Sequence, residues 1–132
     1  MTRVLIMLIA VLAPMVPVYA SPDETVIIEA TRLVPPVLHT TAGGRVDFVN
    51  RTHRVVHVEF ARDGGEHHLV QFPADGPIWG IFYRPGTHAY VVHVYGARTA
   101  TLAGSVEVVE DPHYKYESPA CVATIMGVCI EP

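Results

Sequence analysis

Two identical four-residue segments each carry a histidine, the side chain whose neutral imidazole is the commonest metal ligand in proteins. Val-Val-His-Val occurs at residues 55–58, with His57, and again at residues 91–94, with His93. Identical segments on neighbouring strands place equivalent side chains on one face, with Cβ atoms about 5 Å apart. If the two segments are neighbours, they therefore predict a metal site at His57 and His93.

Nearby residues extend this prediction. His53 lies four residues before His57, so strand alternation puts both on one face and predicts His53 as a third ligand. Glu59 shares that face, and the adjacent histidines at 67–68 follow a Gly-Gly turn that could bring them to the same rim. Imidazole and carboxylate ligands without a thiolate suit Cu(II), Zn(II) or Ni(II), and copper is the cofactor that we expect. The alternative is a solvated histidine pair that binds no metal.

The first twenty residues are typical of a secretory signal peptide. Arg3 supplies a positive start, residues 4–13 are an uninterrupted apolar run, and Ala20 ends a segment suited to cleavage. An uncleaved anchor would need about 20 apolar residues, more than this run offers. We therefore expect a periplasmic or secreted protein with no membrane insertion after cleavage.

Two cysteines lie close together near the end of the chain, Cys121 and Cys129. Disulfides persist in oxidising compartments, so export favours a local Cys121–Cys129 disulfide. An intermolecular bridge, or a thiolate metal site shared with Met126, remains as an alternative.

Composition limits the classes of function. The chain has 132 residues, of which 50% are hydrophobic and 17% charged, with a formal net charge of −4. These values indicate one folded domain and argue against a nucleic-acid partner. The chain contains no nucleophile elbow, phosphate-binding glycine loop or zinc-protease motif, so we expect no enzyme, with a small copper oxidoreductase as the remaining alternative.

Short β-branched runs separated by turn residues indicate strands throughout. The run at residues 45–50 alternates polar and apolar side chains, as a half-buried strand should. Seven or eight such strands in about 110 residues predict an all-β sandwich or small barrel. We assign it to residues 21–110 and treat residues 111–132 as a C-terminal tail outside the sandwich.

Four segments in order resemble the cupredoxin (plastocyanin-like) family, a Greek-key β-sandwich. Residues 42–50 are similar to its Gly-x-x-Val-x-Phe-x-Asn strand, and residues 52–57 to the following strand that carries the first copper histidine. Residues 82–90 resemble its Pro-Gly-Thr-Tyr turn, and residues 102–108 its closing strand. The resemblance implies a cupredoxin-like sandwich in which the two Val-Val-His-Val segments are neighbouring strands of one sheet.

The chain departs from the family at its copper ligands. The resemblance places the cysteine position at Val92, the second histidine near Tyr95 and the axial methionine at Leu102, so only the first histidine has a counterpart, at His53 or His57. A blue-copper site requires a thiolate. The resemblance therefore implies the fold without the blue-copper centre.

Together these observations predict an exported cupredoxin-like protein that binds copper through His57, His93 and His53. It would serve copper handling or electron transfer beside a larger redox system, with a redox or membrane-complex protein as partner. The alternative is a metal-free interaction module that docks through its C-terminal tail. The sequence leaves the oligomeric state open.

Overall fold

The structure is a computed structural model that describes residues 24–61, 67–96, 100–114 and 120–132. The predicted signal peptide lies outside these ranges. Within them the chain forms eleven strands and no helix, and therefore no helix that is long and apolar enough to cross a membrane.

The strands form two sheets that pack face to face. In chain order they are β1 (Thr25–Ile28), β2 (Leu33–Val34), β3 (Val37–Thr41), β4 (Gly44–Asn50), β5 (Val56–Ala61), β6 (His67–Phe72), β7 (Gly76–Phe82), β8 (Gly86–Val94), β9 (Ala100–Val109), β10 (Ala123–Ile125) and β11 (Val128–Ile130). The six-stranded sheet has the order β11-β10-β7-β4-β1-β2, and the five-stranded sheet the order β3-β9-β8-β5-β6. The predicted all-β sandwich is confirmed.

Alternation along each strand decides which side chains enter the core. In β4, Val46 and Phe48 are fully buried, whereas Arg45 and Asp47 point outward. In β8, Val92 is buried and His93 points to the outer face. Because successive side chains point to opposite faces, the apolar residues of both sheets meet in one core.

Aromatic rings form the centre of that core. The ring of Phe48 lies edge-on to three others, with centroid distances of 6.4 Å to Phe60, 5.5 Å to Phe72 and 5.7 Å to Tyr90. Edge-to-face pairs of this kind add roughly 0.5–1.5 kcal/mol each beyond the area that they bury. Phe48 belongs to the six-stranded sheet and its three partners to the other, so this cluster fixes how the sheets stack.

The segment predicted as a tail outside the sandwich is partly a structural element of it. β10 and β11 form a hairpin, and β10 pairs antiparallel with β7, with Ala123 opposite Phe82. Ile125 and Ile130 are fully buried in the core. Cys121 and Cys129 form a disulfide that closes this hairpin. The hairpin is not recognisable in the sequence, because its two strands of three residues each are too short to show an alternation.

Candidate metal centre

His57 and His93 lie directly opposite each other on neighbouring antiparallel strands, β5 and β8. Both are half-buried on the outer face of the five-stranded sheet, since their flanking valines fill the core. Directly opposed residues in an antiparallel pair have Cβ atoms about 4.5–5.5 Å apart. The repeated Val-Val-His-Val segments thus place two imidazoles side by side.

A carboxylate lies beside one member of this pair, His93. Glu59 Oε1 lies 3.2 Å from His93 Nε2, and the two side chains are 35% and 25% exposed. Nevertheless, Nε2 is shielded from solvent and makes no aligned hydrogen bond. Two neighbouring ligands at about 2.05 Å from one ion are roughly 2.9 Å apart in a square-planar site and roughly 3.3 Å apart in a tetrahedral one, so the 3.2 Å between nitrogen and oxygen lies within the range for two atoms that share a cation.

Tyr95 borders both imidazoles. Its ring is edge-on to His57 at a centroid distance of 5.0 Å and nearly parallel to His93 at 6.4 Å. Arg54 Nη1 donates a hydrogen bond to the Tyr95 carbonyl oxygen at 3.0 Å, which fixes the end of β8. Tyr95 was not among the predicted site residues, although its spacing of two residues from His93 is the signal in the sequence that puts it on this face.

A buried asparagine positions the start of β5. Asn50 is 2% exposed, and its Nδ2 donates to the carbonyl oxygens of Arg54 at 2.6 Å and Pro73 at 2.9 Å. Its Oδ1 accepts hydrogen bonds from the backbone N–H and the hydroxyl of Thr52. These bonds join the β4–β5 and β6–β7 loops, and so set where the strand of His57 begins.

The structure gives His53 a different partner. β5 begins at Val56, so residues 51–55 are a loop, and His53 has a left-handed φ of 60° that ends the alternation on which its predicted position depended. Its Nδ1 lies 3.0 Å from Asp75 Oδ1, and both side chains are largely exposed. The assignment of His53 as a third ligand stays a prediction, without a contact to His57 or His93 in its support.

The two histidines of β6, His67 and His68, lie away from the His57–His93 pair. Gln71 occupies the position on β6 opposite His57, while His67 and His68 lie at the other end of that strand, opposite Ala61 and Phe60. The expectation that these two histidines reach the rim of the pair is therefore not supported by the register.

The imidazole of His88 forms a hydrogen bond within the fold. Its Nε2 lies 2.6 Å from the carbonyl oxygen of Arg84, so a neutral ring donates here, and the ring packs edge-on to Phe82 at 5.2 Å. Burial lowers the pKa of His88, because desolvation disfavours the imidazolium ion; the hydrogen bond to Arg84 opposes this and the charge of Arg84 adds to it.

The cysteine and methionine positions of a blue-copper centre are occupied by apolar residues. Val92, at the cysteine position, is fully buried between the sheets, and Leu102, at the methionine position, packs against the core. Both cysteines of the chain are in the disulfide. The residues present do not fit a blue-copper ion, because neither a thiolate nor a free polar ligand is available there.

The outer-face cluster therefore offers two imidazoles and one carboxylate, from His57, His93 and Glu59. Across the described ranges, no three His, Cys, Asp or Glu side chains are already arranged to hold a metal ion. A metal ion bound here needs rotation of side chains and no movement of the strands, because the register already brings the three side chains together.

No protein-family model matches the chain, and no curated protein matches it. Several solved structures match the chain. Amicyanin from Paracoccus versutus superimposes with a TM-score of 0.54 at 20% identity, over 67% of this chain and 83% of that one. A purple cupredoxin from Nitrosopumilus maritimus gives 0.52 at 16% identity, over 66% of this chain and 100% of that one.

A third match is part of a larger protein. The copper-containing nitrite reductase from Thermus scotoductus gives a TM-score of 0.51 at 21% identity, over 67% of this chain and 23% of the reductase. These similarities agree with the two-sheet, all-β sandwich of the chain. The chain therefore has the cupredoxin fold.

Proposed function

We propose that the protein binds copper through His57 and His93, with Glu59 as the carboxylate of the site, on the outer face of its five-stranded sheet. The observation that carries the proposal is the register, which sets the two imidazoles directly opposite each other. A structure of amicyanin with the same fold is described in a reduced Cu(I) form, which supports copper as the metal.

The donor set favours Cu(II). Nitrogen and oxygen ligands suit Cu(II), and the absence of a thiolate removes the ligand that defines blue copper. Water or a small anion would complete the coordination, because the two histidines and Glu59 supply at most three positions. Glu59 also keeps negative charge beside His93, which favours a cation at this place.

An open site of this kind suits copper handling. Coordination positions that water fills exchange easily, so the site can accept copper from a donor and pass it to a redox or membrane-complex partner. The disulfide and the signal-like first twenty residues support a periplasmic or secreted location. Electron transfer remains the second role of the proposed site, because Cu(II) can be reduced in place.

Titration of the purified protein with Cu(II), followed by calorimetry and EPR at neutral pH, tests the proposal. We expect one tight equivalent with nitrogen hyperfine structure, weakened at least about tenfold in His57→Ala and in His93→Ala. Glu59→Gln should weaken binding less, since it retains an oxygen and loses the charge. His39→Ala is the matched control, because His39 lies exposed on edge strand β3 of the same sheet.

Equal binding by the wild type and both histidine variants, or equal weakening in His39→Ala, would overturn the proposal. Complete absence of copper binding would leave the metal-free interaction module as the function to pursue.

A further inference from the structure

Tyr95 is the only aromatic residue, within the part of the chain that the structure describes, whose ring contacts both imidazoles of the proposed copper site. The ring is edge-on to His57, with 5.0 Å between centroids and 71° between planes. It is nearly parallel to His93, with 6.4 Å and 24°. The two proposed ligands therefore share one packing partner.

Tyr95 and Glu59 lie on opposite sides of the imidazole pair. Glu59 is opposite Val91 on β8, whereas Tyr95 directly follows the last residue of that strand, and His93 lies between these two positions. The ring therefore packs on the imidazoles without covering the carboxylate that reaches His93.

The backbone of Tyr95 is held in place although it lies beyond the end of β8. Arg54 Nη1 donates a hydrogen bond to the Tyr95 carbonyl oxygen at 3.0 Å. The guanidinium also lies against Gly96, where a Cβ would collide with Nη1 and lie 2.9 Å from Cζ. Because Gly96 has no side chain, Arg54 can approach the backbone closely enough to make this bond.

Arg54 is itself fixed by two buried side chains. Asn50 Nδ2 donates to the Arg54 carbonyl oxygen at 2.6 Å, and the Arg54 backbone N–H donates to Thr52 Oγ1 at 3.2 Å. Asn50 is 2% exposed and Thr52 9% exposed. Satisfied buried polar networks are rigid, so contacts run from this network through Arg54 to the ring of Tyr95.

We propose that Tyr95, anchored by Arg54, is the positioning residue of the copper site. Among the described residues the His57 ring has no hydrogen-bond partner, and His93 Nε2 has none with good alignment, so the Tyr95 ring is what limits the rotation of both. A side chain that is already ordered loses less freedom on binding, which raises affinity. This inference rests on the proposed function, and Tyr95 acts through the two histidines without binding the metal.

Titration with Cu(II), followed by calorimetry and EPR, tests the role of the ring. We expect Tyr95→Ala to weaken binding roughly tenfold and to broaden the nitrogen hyperfine structure, because the imidazoles lose a fixed orientation. Tyr95→Phe keeps the ring and should bind copper as the wild type does. Val109→Ala is the matched control, because Val109 is 58% exposed at the other end of the same sheet. Thermal unfolding checks that each variant is folded.

Gly96→Ala tests the anchor without changing any charge. The added Cβ displaces the Arg54 guanidinium, so Tyr95 loses its hydrogen bond and copper binding should weaken severalfold. In the Tyr95→Ala background the same change should have no further effect, because the anchor acts only through the ring. Additive losses in the double variant would show that Arg54 does not act through Tyr95, and would overturn the anchoring.

Nuclear magnetic relaxation of the histidine rings in the metal-free protein gives a measurement that needs no copper. We expect restricted motion of His57 and His93 in the wild type and in Tyr95→Phe, and faster motion in Tyr95→Ala. Equal ring motion or equal copper affinity in the wild type and Tyr95→Ala overturns the inference. A loss in Tyr95→Phe as large as in Tyr95→Ala also overturns it, since the hydroxyl would then be the active group. A wild type that orders both rings but binds no copper would overturn only the proposed function.

Discussion

His93 Nε2 shows what a single residue contributes to the proposed site. It is enclosed and lies 3.2 Å from Glu59 Oε1 without an aligned hydrogen bond. A proton or a metal ion would satisfy both atoms, so the two compete for one place. Copper binding should therefore weaken as the pH falls, because a protonated imidazole has no free lone pair.

His88 gives a separate pH dependence, of stability. Burial lowers its pKa, so between that lowered value and about 6.5, the ordinary histidine value, the unfolded chain binds a proton that the native state resists. The contribution of His88 to the stability of the native state is complete above about pH 6.5, and it is lost progressively as the pH falls below that value. We expect thermal unfolding temperatures to decline on acidification, and His88→Gln to flatten the decline.

His39→Gln is the control for that measurement, since His39 is exposed. An equal flattening in His39→Gln, or an unchanged slope in His88→Gln, would contradict the assignment to His88.

At the scale of elements, the β10–β11 hairpin is held by packing and pairing, in addition to its disulfide. β10 extends the six-stranded sheet beyond β7, and Gly80 of β7 is the residue opposite Ile125. A Cβ at Gly80 would collide with Ile125 Cδ1 and lie 3.0 Å from the Thr124 carbonyl oxygen. The close approach explains how a hairpin of two short strands can seal one edge of the core.

Ile125→Ala tests this role of the hairpin. Ile125 is fully buried, and truncation of a buried isoleucine to alanine costs about 2–5 kcal/mol through lost burial and the cavity that remains. Urea unfolding should show that loss of stability. Val128→Ala is the matched control in the same hairpin, because Val128 is 42% exposed and its truncation should change stability little. Similar small effects for both variants would mean that the hairpin is peripheral.

At the scale of the whole molecule, fold and metal chemistry are separate properties. The sandwich matches amicyanin in sheet architecture, yet the thiolate position is the buried Val92, and the candidate ligands are on an outer face.

The visible spectrum of the copper-loaded protein tests this separation. The intense colour of blue copper comes from a copper–thiolate bond, and both cysteine sulfurs are in the disulfide. We therefore expect only the weak visible absorption of a nitrogen- and oxygen-ligated Cu(II) ion. An intense thiolate band would show that copper binds at a cysteine, and that the outer-face assignment is wrong.

The sequence by itself determined the β-sandwich and, in the strands whose polar and apolar residues alternate, the side that enters the core. Alternation with a period of two is a local property, and it is readable at residues 45–50 and around both repeated segments. The resemblance to cupredoxins indicated which strands are neighbours, and thereby predicted that His57 and His93 lie side by side.

Only the tertiary structure decided the contacts that depend on distant parts of the chain. The left-handed conformation of His53 and its partner Asp75 come from the meeting of two loops, which strand parity cannot describe. The pairing of Ile125 with Gly80 joins residues far apart in sequence, and so turns part of the predicted tail into core. Which side of Trp79 faces solvent also depended on sheet packing, because its neighbours in sequence are apolar on both sides.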